Sequence, residues 1–377
     1  MRLLIRADAS PAIGSGHIAR CLTLARKLRE QGATVAFACR TLPGHALERL
    51  VEQGFQAFAL PAHYPHEPQG DIEALLPWQA DIAALQARLQ DQPRFDWVLV
   101  DHYGLDAQWQ QAAREWAPRI AAIDDLANRR HAVDLLLDQN FSGTPQAYAG
   151  LLGSACRTLF GPHFALLREE FDCPPIVIRQ RARRVLVNFG GFDAASQTHK
   201  AMQALSGLAG LEVDFVAGAD NPAWAQMQRL AAGREDWRLH AYTRDFFRLM
   251  AEADLFIGAG GGTSWERAAL GLPTLCISVA GNQEANARQL AEAGMHLYLG
   301  GSEQVGVEQI RQAVVALVDD YPLRQALAQR SRQLVDGQGA ARVAAALLER
   351  AGRPVCGAGE KTATDEFMRE AKEDPND

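Results

Sequence analysis

Several signals that would place a chain in a class at once are missing here. The six cysteines (Cys21, Cys39, Cys156, Cys173, Cys276, Cys356) contain no CxxC pair and no metal-ligand spacing. That excludes a cysteine-built metal or redox motif and leaves buried free thiols as the expectation. No run of about 18 apolar residues is present to span a bilayer, and no basic-plus-apolar leader precedes the first apolar run. The expectation is a cytoplasmic protein with no membrane partner. Basic residues are outnumbered, 38 Lys and Arg against 45 Asp and Glu, for a formal charge of −7. A general nucleic-acid binder would carry a basic footprint instead, so no nucleic-acid partner is expected. A local basic site for an anionic ligand is compatible with this balance. No aspartate-rich metal motif stands out, so neither metal nor cofactor is assigned, and no segment signals an oligomeric state.

What the chain does contain is alternation. Its 377 residues, 48% hydrophobic and 22% charged, suffice for two ordinary domains with separate cores. Apolar runs near 3–5, 34–39, 55–60, 97–100, 120–123 and 133–137 read as strands. Helical periodicity at 18–28, 45–53 and 72–89 (interrupted near Pro77) separates several of them. Strands alternating with helices predict a parallel sheet. Pro174-Pro175 and the run Arg179, Arg181, Arg183, Arg184 then read as a linker with a solvated face. A second set of units follows, with strands near 185–189, 211–216, 237–242, 255–257 and 273–279. Beyond Gly301 the pattern is helical to about 351, and the glycine-rich, then charged remainder reads as disordered. The expected organisation is a Rossmann-like domain over 1–172, a linker over 173–184, a second Rossmann-like domain over 185–351 and a tail over 352–377.

Two glycine turns carry the chemistry. Ile13-Gly14-Ser15-Gly16-His17 joins the first strand to the first helix. Gly14 and Gly16 let the backbone adopt conformations closed to other residues and let a ligand approach. The helix beyond aims unpaired N–H groups at the same place, favouring anions. His17 stands at that positive helix end, which disfavours the imidazolium and suits a proton acceptor. The competing reading is a plain strand-to-helix turn with a surface histidine. Asp101-His102-Tyr103-Gly104 and Asp124-Asp125 end two buried strands, where open α/β sheets place ligands. Asp101 and Asp124 read equally well as helix caps or partners of backbone N–H groups; for Tyr103 a functional role ranks above that of a wall residue. In the second half a strand enters Gly258-Ala259-Gly260-Gly261-Gly262-Thr263-Ser264-Trp265-Glu266. Backbone N–H groups at Gly261 and Gly262 can cradle phosphate oxygens, with Thr263 or Ser264 adding a hydroxyl. Glu266 would repel phosphate and fits sugar hydroxyls of a nucleotide, or a favourable charge at a helix start. Asn282 and Gln283 offer neutral donors and acceptors to a sugar.

Two such glycine-rich halves suggest a GT-B-like α/β architecture, two Rossmann-like parallel-sheet domains facing a cleft, with C-terminal helices. Arg6-Ala7-Asp8 through Ile13-Gly14-Ser15-Gly16-His17, together with Asp101-His102-Tyr103-Gly104, resembles the UDP-2,4-diacetamido-2,4,6-trideoxy-β-L-altropyranose hydrolase (PseG) family of pseudaminic acid biosynthesis. The block from Gly260 to Glu266, then Leu270-Gly271-Leu272-Pro273, Asn282, Gln283 and Asn286, fits the same family. That block is also similar to the nucleotide-binding half of MurG-type glycosyltransferases. The likeness covers roughly residues 1–300 and departs at Phe192, where the family often has a small hydroxyl residue. It implies metal-independent, inverting hydrolysis of a small-molecule UDP-sugar to UDP and the free sugar. On that resemblance His17 is the general base, Tyr103 orients water or sugar, and Asn282 and Gln283 hold the sugar. Ser264 and nearby N–H groups hold the diphosphate. A UDP-sugar glycosyltransferase is the alternative, a 2-epimerase another, and a non-catalytic nucleotide-sugar sensor the reading from a different class.

Overall fold

The computed structural model describes residues 1–64, 72–190, 193, 195–243 and 245–349, the Asn282 side chain excepted. The call of a disordered tail over 352–377, and Phe192, lie outside them. Aliphatic runs of four to seven residues form the strands of two all-parallel sheets. The first comprises β1 (Arg2–Ala7), β2 (Thr34–Arg40), β3 (Gln56–Leu60), β4 (Trp97–Asp101), β5 (Arg119–Ile123), β6 (Leu135–Asp138) and β7 (Arg157–Phe160). The second comprises β8 (Arg184–Asn188), β9 (Glu212–Val216), β10 (Trp237–His240), β11 (Leu255–Gly258), β12 (Thr274–Ser278) and β13 (Leu297–Gly301). Their spatial orders are β3-β2-β1-β4-β5-β6-β7 and β10-β9-β8-β11-β12-β13. Each is a Rossmann-like winding whose direction reverses between its first and fourth strands, the crevice where such sheets bind ligands. The two expected glycine turns follow β1 and β11, so each lies at a reversal.

Both faces of each sheet are covered, which is why the strands read as continuous apolar runs rather than alternating ones. Side chains still alternate between faces. Leu3, Ile5 and Phe37 pack with the first helix (Gly16–Glu30), while Leu4, Ala36, Val98 and Val100 pack with Trp109 and Leu85 on the other side. In the second sheet Val185, Val187 and Ile257 face one core and Leu186 and Phe256 the other.

The structure corrects the sequence reading at four places. The helix expected over 72–89 is confined to Trp78–Leu89, with Pro77 at its start, because proline suits a first turn but not an interior. Strands β7 and β13 were not anticipated. They are edge strands of four and five residues, only partly buried, and carry little apolar signal. The arginine run is anchored as well as solvated. Arg179 pairs with Asp254, whose carboxylate also accepts the backbone N–H groups of Arg183 and Arg184. Finally, the last helix, Gly339–Leu348, does not pack with the second sheet. Its Ala340, Val343, Ala344 and Leu347 complete the first sheet's core beside the first helix. The chain returns through Gly337 and Gly339, where a Cβ would stand 2.2 Å from the Phe171 carbonyl oxygen and 2.3 Å from that of Ala165. Residues 339–348 therefore belong with the first domain's core, not with the span 185–351.

Replacing fully buried Leu347 with alanine should cost about 2–5 kcal/mol, the usual range for a core leucine. Hydrogen exchange should then quicken in β1 and β2 while β8 and β9 keep their protection. Equal loss in both sheets would show that the helix serves both cores.

Candidate functional site

At the first reversal, β1 lies beside β4 with Ala7 opposite Asp101. That register brings the helix after β1 over the carboxyl end of β4. Gly14 takes φ +79°, which closes a small bridge from its N–H to the Ser10 carbonyl at 2.8 Å. A Cβ at Gly16 would meet nothing within 4 Å, so Gly16 leaves open space rather than relieving a clash. Ser15 precedes the helix without capping it by its side chain, leaving first-turn N–H groups available.

His17, in the first turn, places Nδ1 2.6 Å from Asp101 Oδ1. Arg20 stands three residues on, on the same helix face. Its Nε and Nη2 reach the two Asp101 oxygens at 2.7 and 2.6 Å, and its Nη1 reaches Asp125 Oδ2 at 3.0 Å. The Cys21 thiol donates to Asp101 Oδ2 at 3.4 Å. Burial works to raise the Asp101 carboxyl, but Arg20 and His17 outweigh it and hold it well below the usual carboxylate range. Asp101 thus stays ionised, and its 2.6 Å contact favours the proton on Nδ1 of His17, with Arg20 Nη2 3.2 Å from the same nitrogen. The other ring nitrogen, Nε2, is left with its lone pair and makes no hydrogen bond among the described residues. Tyr103 packs edge-on against this ring at 4.8 Å. Burial, together with the nearby Asp125 carboxylate, raises its pKa far above the ordinary value.

Asp8 and Asp124 prove to be structural. Asp8 accepts from Arg6 Nη1 at 2.7 Å and from the Arg40 backbone and Nε at 2.7 and 3.0 Å. His102 Nε2 lies 3.3 Å away, and the Gly104 N–H donates to its Nδ1 at 2.9 Å. This buried network, continued from Arg6 to Asp81, fixes the loop that presents Tyr103. Asp124 pairs with Arg129 at 2.8 Å and accepts from the Ala127 N–H at 3.1 Å.

Between Asp124 and Asp138 stands Tyr148, whose hydroxyl is 2.8 Å from one carboxyl and 3.1 Å from the other. A phenol has one proton, so two ionised carboxylates cannot both be satisfied by it. Asp124 has Arg129 and His131 beside it, whereas Asp138 has only the Asn140 N–H and is pressed under Gly143. The second proton therefore belongs to Asp138, which donates to Tyr148 as Tyr148 donates to Asp124. Burial, with the charges of Asp125 and Asp124 adding, pushes the Asp138 carboxyl up to about 7.

At the second reversal the glycines divide by cause. A Cβ on Gly258 would lie 2.1 Å from the Asn188 carbonyl oxygen, and on Gly260 3.2 Å from Ala287. Gly262 faces open space, and Gly261 meets only the Gln283 amide at 3.7 Å. The helix Thr263–Leu270 begins at Gly262 with no side-chain cap. The Ser264 and Trp265 N–H groups turn back to the Gly261 and Gly262 carbonyls at 2.9 and 3.3 Å. Among the described residues the N–H groups of Gly261 and Gly262 have no such partner and are open to an anion. The turn after β8 differs. There Asp193 accepts the N–H groups of Gln197 and Thr198 at 2.8 and 2.9 Å, filling that helix end with an internal carboxylate. Glu266 lies 3.7 Å from Arg168 of the crossing segment, and burial raises its pKa. Gln283 Oε1 accepts from the Val279 N–H at 3.2 Å, and its amide nitrogen lies toward Gly261. Asn282 lies in the helix Gly281–Glu292.

Sequence reasoning missed Arg20 and Asp125 as partners of the His17 site, and Arg267 beneath the second glycine turn. The i, i+3 spacing of His17 and Arg20 was the available signal. Among the described residues no group of three or more His, Cys, Asp or Glu is arranged to hold a metal ion, and no helix is long and apolar enough to cross a membrane.

Comparison with known proteins follows this division. Residues 185–345 match the glycosyltransferase family 28 C-terminal domain. The chain is 30% identical over 194 residues to the spore coat polysaccharide biosynthesis protein SpsG of Bacillus subtilis, spanning 50% of this chain and 57% of that protein. It is 26% identical over 296 residues to the UDP-2,4-diacetamido-2,4,6-trideoxy-beta-L-altropyranose hydrolase of Campylobacter jejuni, 78% of this chain and 97% of that one. The crystal structure of MurG from Acinetobacter baumannii superposes with a TM-score of 0.65 at 16% identity, covering 93% of this chain and 99% of that one. The fold is GT-B-like.

The Asp138 assignment predicts a pH dependence of stability. Its folded pKa lies above the unfolded one, so the native state holds the extra proton between them. Its contribution is complete below about pH 4 and fades as pH rises to about 7. Asp138→Asn keeps a donor for Tyr148 and an acceptor for Asn140 but cannot ionise. The melting temperature of the variant relative to wild type should climb from pH 4 to 7 and level off above. Parallel curves across that range would place the proton elsewhere.

Proposed function

We propose that the protein hydrolyses UDP-2,4-diacetamido-2,4,6-trideoxy-β-L-altropyranose to UDP and the free 2,4-diacetamido sugar. The observation that carries this reading is the Asp101–His17 pair, at 2.6 Å, beside Tyr103 at a sheet reversal. Support also comes from the hydrolase of Campylobacter jejuni, whose length the match spans almost entirely.

In the proposed reaction a water held at His17 Nε2 attacks the anomeric carbon. The bond from that carbon to the phosphate oxygen breaks, its electron pair leaves on UDP, and the water proton passes to Nε2. Asp101 keeps the ring in the accepting tautomer and steadies the imidazolium that forms. Tyr103, packed edge-on against the His17 ring, forms the wall that orients water and sugar. Charge growing on the leaving diphosphate is met by the N–H groups at Gly261 and Gly262 and the hydroxyls of Thr263 and Ser264. Glu266, released from Arg168, accepts the ribose hydroxyls, and Asn282 and Gln283 face the sugar amides. Residues 1–172 supply the base and the span from 185 supplies the nucleotide site.

A UDP-sugar-dependent glycosyltransferase of the MurG type is the second reading, favoured by the family 28 match over residues 185–345. Incubation with the UDP-linked diacetamido sugar and no acceptor separates the two. Hydrolysis predicts stoichiometric UDP and free sugar by NMR; binding without release predicts a transferase awaiting its acceptor. His17→Asn should lower kcat by about 10²–10⁴-fold, the usual worth of a general base, and leave UDP affinity unchanged. Near-normal turnover in that variant would remove His17 from the mechanism.

A further inference from the structure

Arg267 lies under the second glycine turn and is 2% exposed. Its Nη1 donates to the Ala259 carbonyl at 3.0 Å and lies 3.4 Å from Thr263 Oγ1, and its Nη2 donates to Ser264 Oγ at 2.8 Å. The guanidinium sits over the Phe256 ring at 4.6 Å. Among the described residues no carboxylate lies within ion-pair distance of it. His296, the nearby titratable group, is pushed down to about 4 by burial and by Arg267 itself, and is neutral near pH 7. Glu266, the preceding residue, acts on it from beyond ion-pair distance. A buried cation without a close partner is costly, and burial prevails, lowering this one to about 10. The cavity behind it, bordered by Thr274, His296 and Ser331, has a volume of about 10 Å³. That is the threshold for a single water, so no counter-anion fits on that side. The open side is the glycine turn itself.

We infer that Arg267 is a positioning residue that adapts this turn to a diphosphate. By donating to Thr263 Oγ1 and Ser264 Oγ, it takes one lone pair on each oxygen and leaves both hydroxyl hydrogens available as donors to a phosphate. It also supplies from beneath the positive charge that an incoming phosphate neutralises. This inference rests on the proposed reading of the turn as the nucleotide's phosphate site. A bare tie to the Ala259 carbonyl would need a donor but no charge, and that distinction is testable.

Calorimetric titration with uridine, UDP and inorganic pyrophosphate compares wild type with Arg267→Gln and Arg267→Lys, each checked for folding by circular dichroism. Arg267→Gln should weaken UDP and pyrophosphate by about tenfold or more, the worth of a charge-assisted contact. Uridine affinity should not change, and Arg267→Lys should recover most of the loss. Equal losses for uridine and UDP, or no loss for either phosphate ligand, overturn the inference. Should Arg267→Gln fail to fold, Ser264→Ala carries the test. It must weaken UDP and pyrophosphate but not uridine, and an unchanged affinity overturns the relay through its hydroxyl. Wild type binding pyrophosphate but not UDP would overturn the nucleotide reading, leaving the pyrophosphate comparison to decide the role of Arg267.

Discussion

The arrangement at the first sheet depends on one buried anion. Asp101 is 0% exposed, and an isolated carboxylate there would be driven to its neutral form. It stays ionised because Arg20 engages both oxygens and His17 donates a third charge-oriented bond. Each partner needs the others. Without Arg20 the carboxylate would be uncompensated, and without the carboxylate the imidazole tautomer would be undetermined. Breaking such a buried set by removing one member typically costs about 3–5 kcal/mol. The interaction that organises the proposed base therefore also ties the first helix to β4.

From that anion a graded series of carboxyl groups runs along the carboxyl edges of β4, β5 and β6. Asp101 is held ionised by Arg20, Asp124 by His131 and Arg129, and Asp138 holds its proton up to about pH 7. Three adjacent strands ending in aspartate would concentrate negative charge within a few ångströms. Two guanidinium groups and one retained proton resolve the conflict, and Tyr148 transmits the proton's effect from Asp138 to Asp124. Environment, not residue type, assigns each aspartate its state.

Much of the fold was legible because parallel strands covered on both faces leave unmistakable apolar runs. The runs at 97–100 and 120–123 are β4 and β5 to within a residue at most edges. The glycine turns were legible because a strand-to-helix junction needs few residues to declare itself. Strands β7 and β13, and the docking of Gly339–Leu348, were not. Edge strands carry little apolar signal, and an alanine-rich helix fits any core its neighbours leave open. The Asp101–His17 pair was legible only as two separate candidates. The partners are 84 residues apart, and their meeting depends on β1 lying beside β4, a fact of strand order with no local trace. Arg267 was hidden for a different reason. A lone arginine on a helix reads as a solvated charge, and nothing nearby in sequence announces its burial.

The two sheet edges differ in a way that would orient a ligand carrying both a sugar and a diphosphate. Beside His17, Asp101 and Asp125 are both engaged by Arg20, and at the next strand Asp124 is engaged by Arg129. The guanidinium charge there is already matched from within. At the second reversal, the open N–H groups of the glycine turn, two hydroxyls and a guanidinium with no carboxylate within ion-pair distance converge instead. The alternative phosphate position, the helix after β8, is already occupied by Asp193. On the proposed reading the diphosphate lies at the second reversal, where Arg267 adds its charge to the open N–H groups, and the sugar lies toward His17. The polarity of substrate binding then follows from where each domain keeps a positive charge that no carboxylate of its own has taken up.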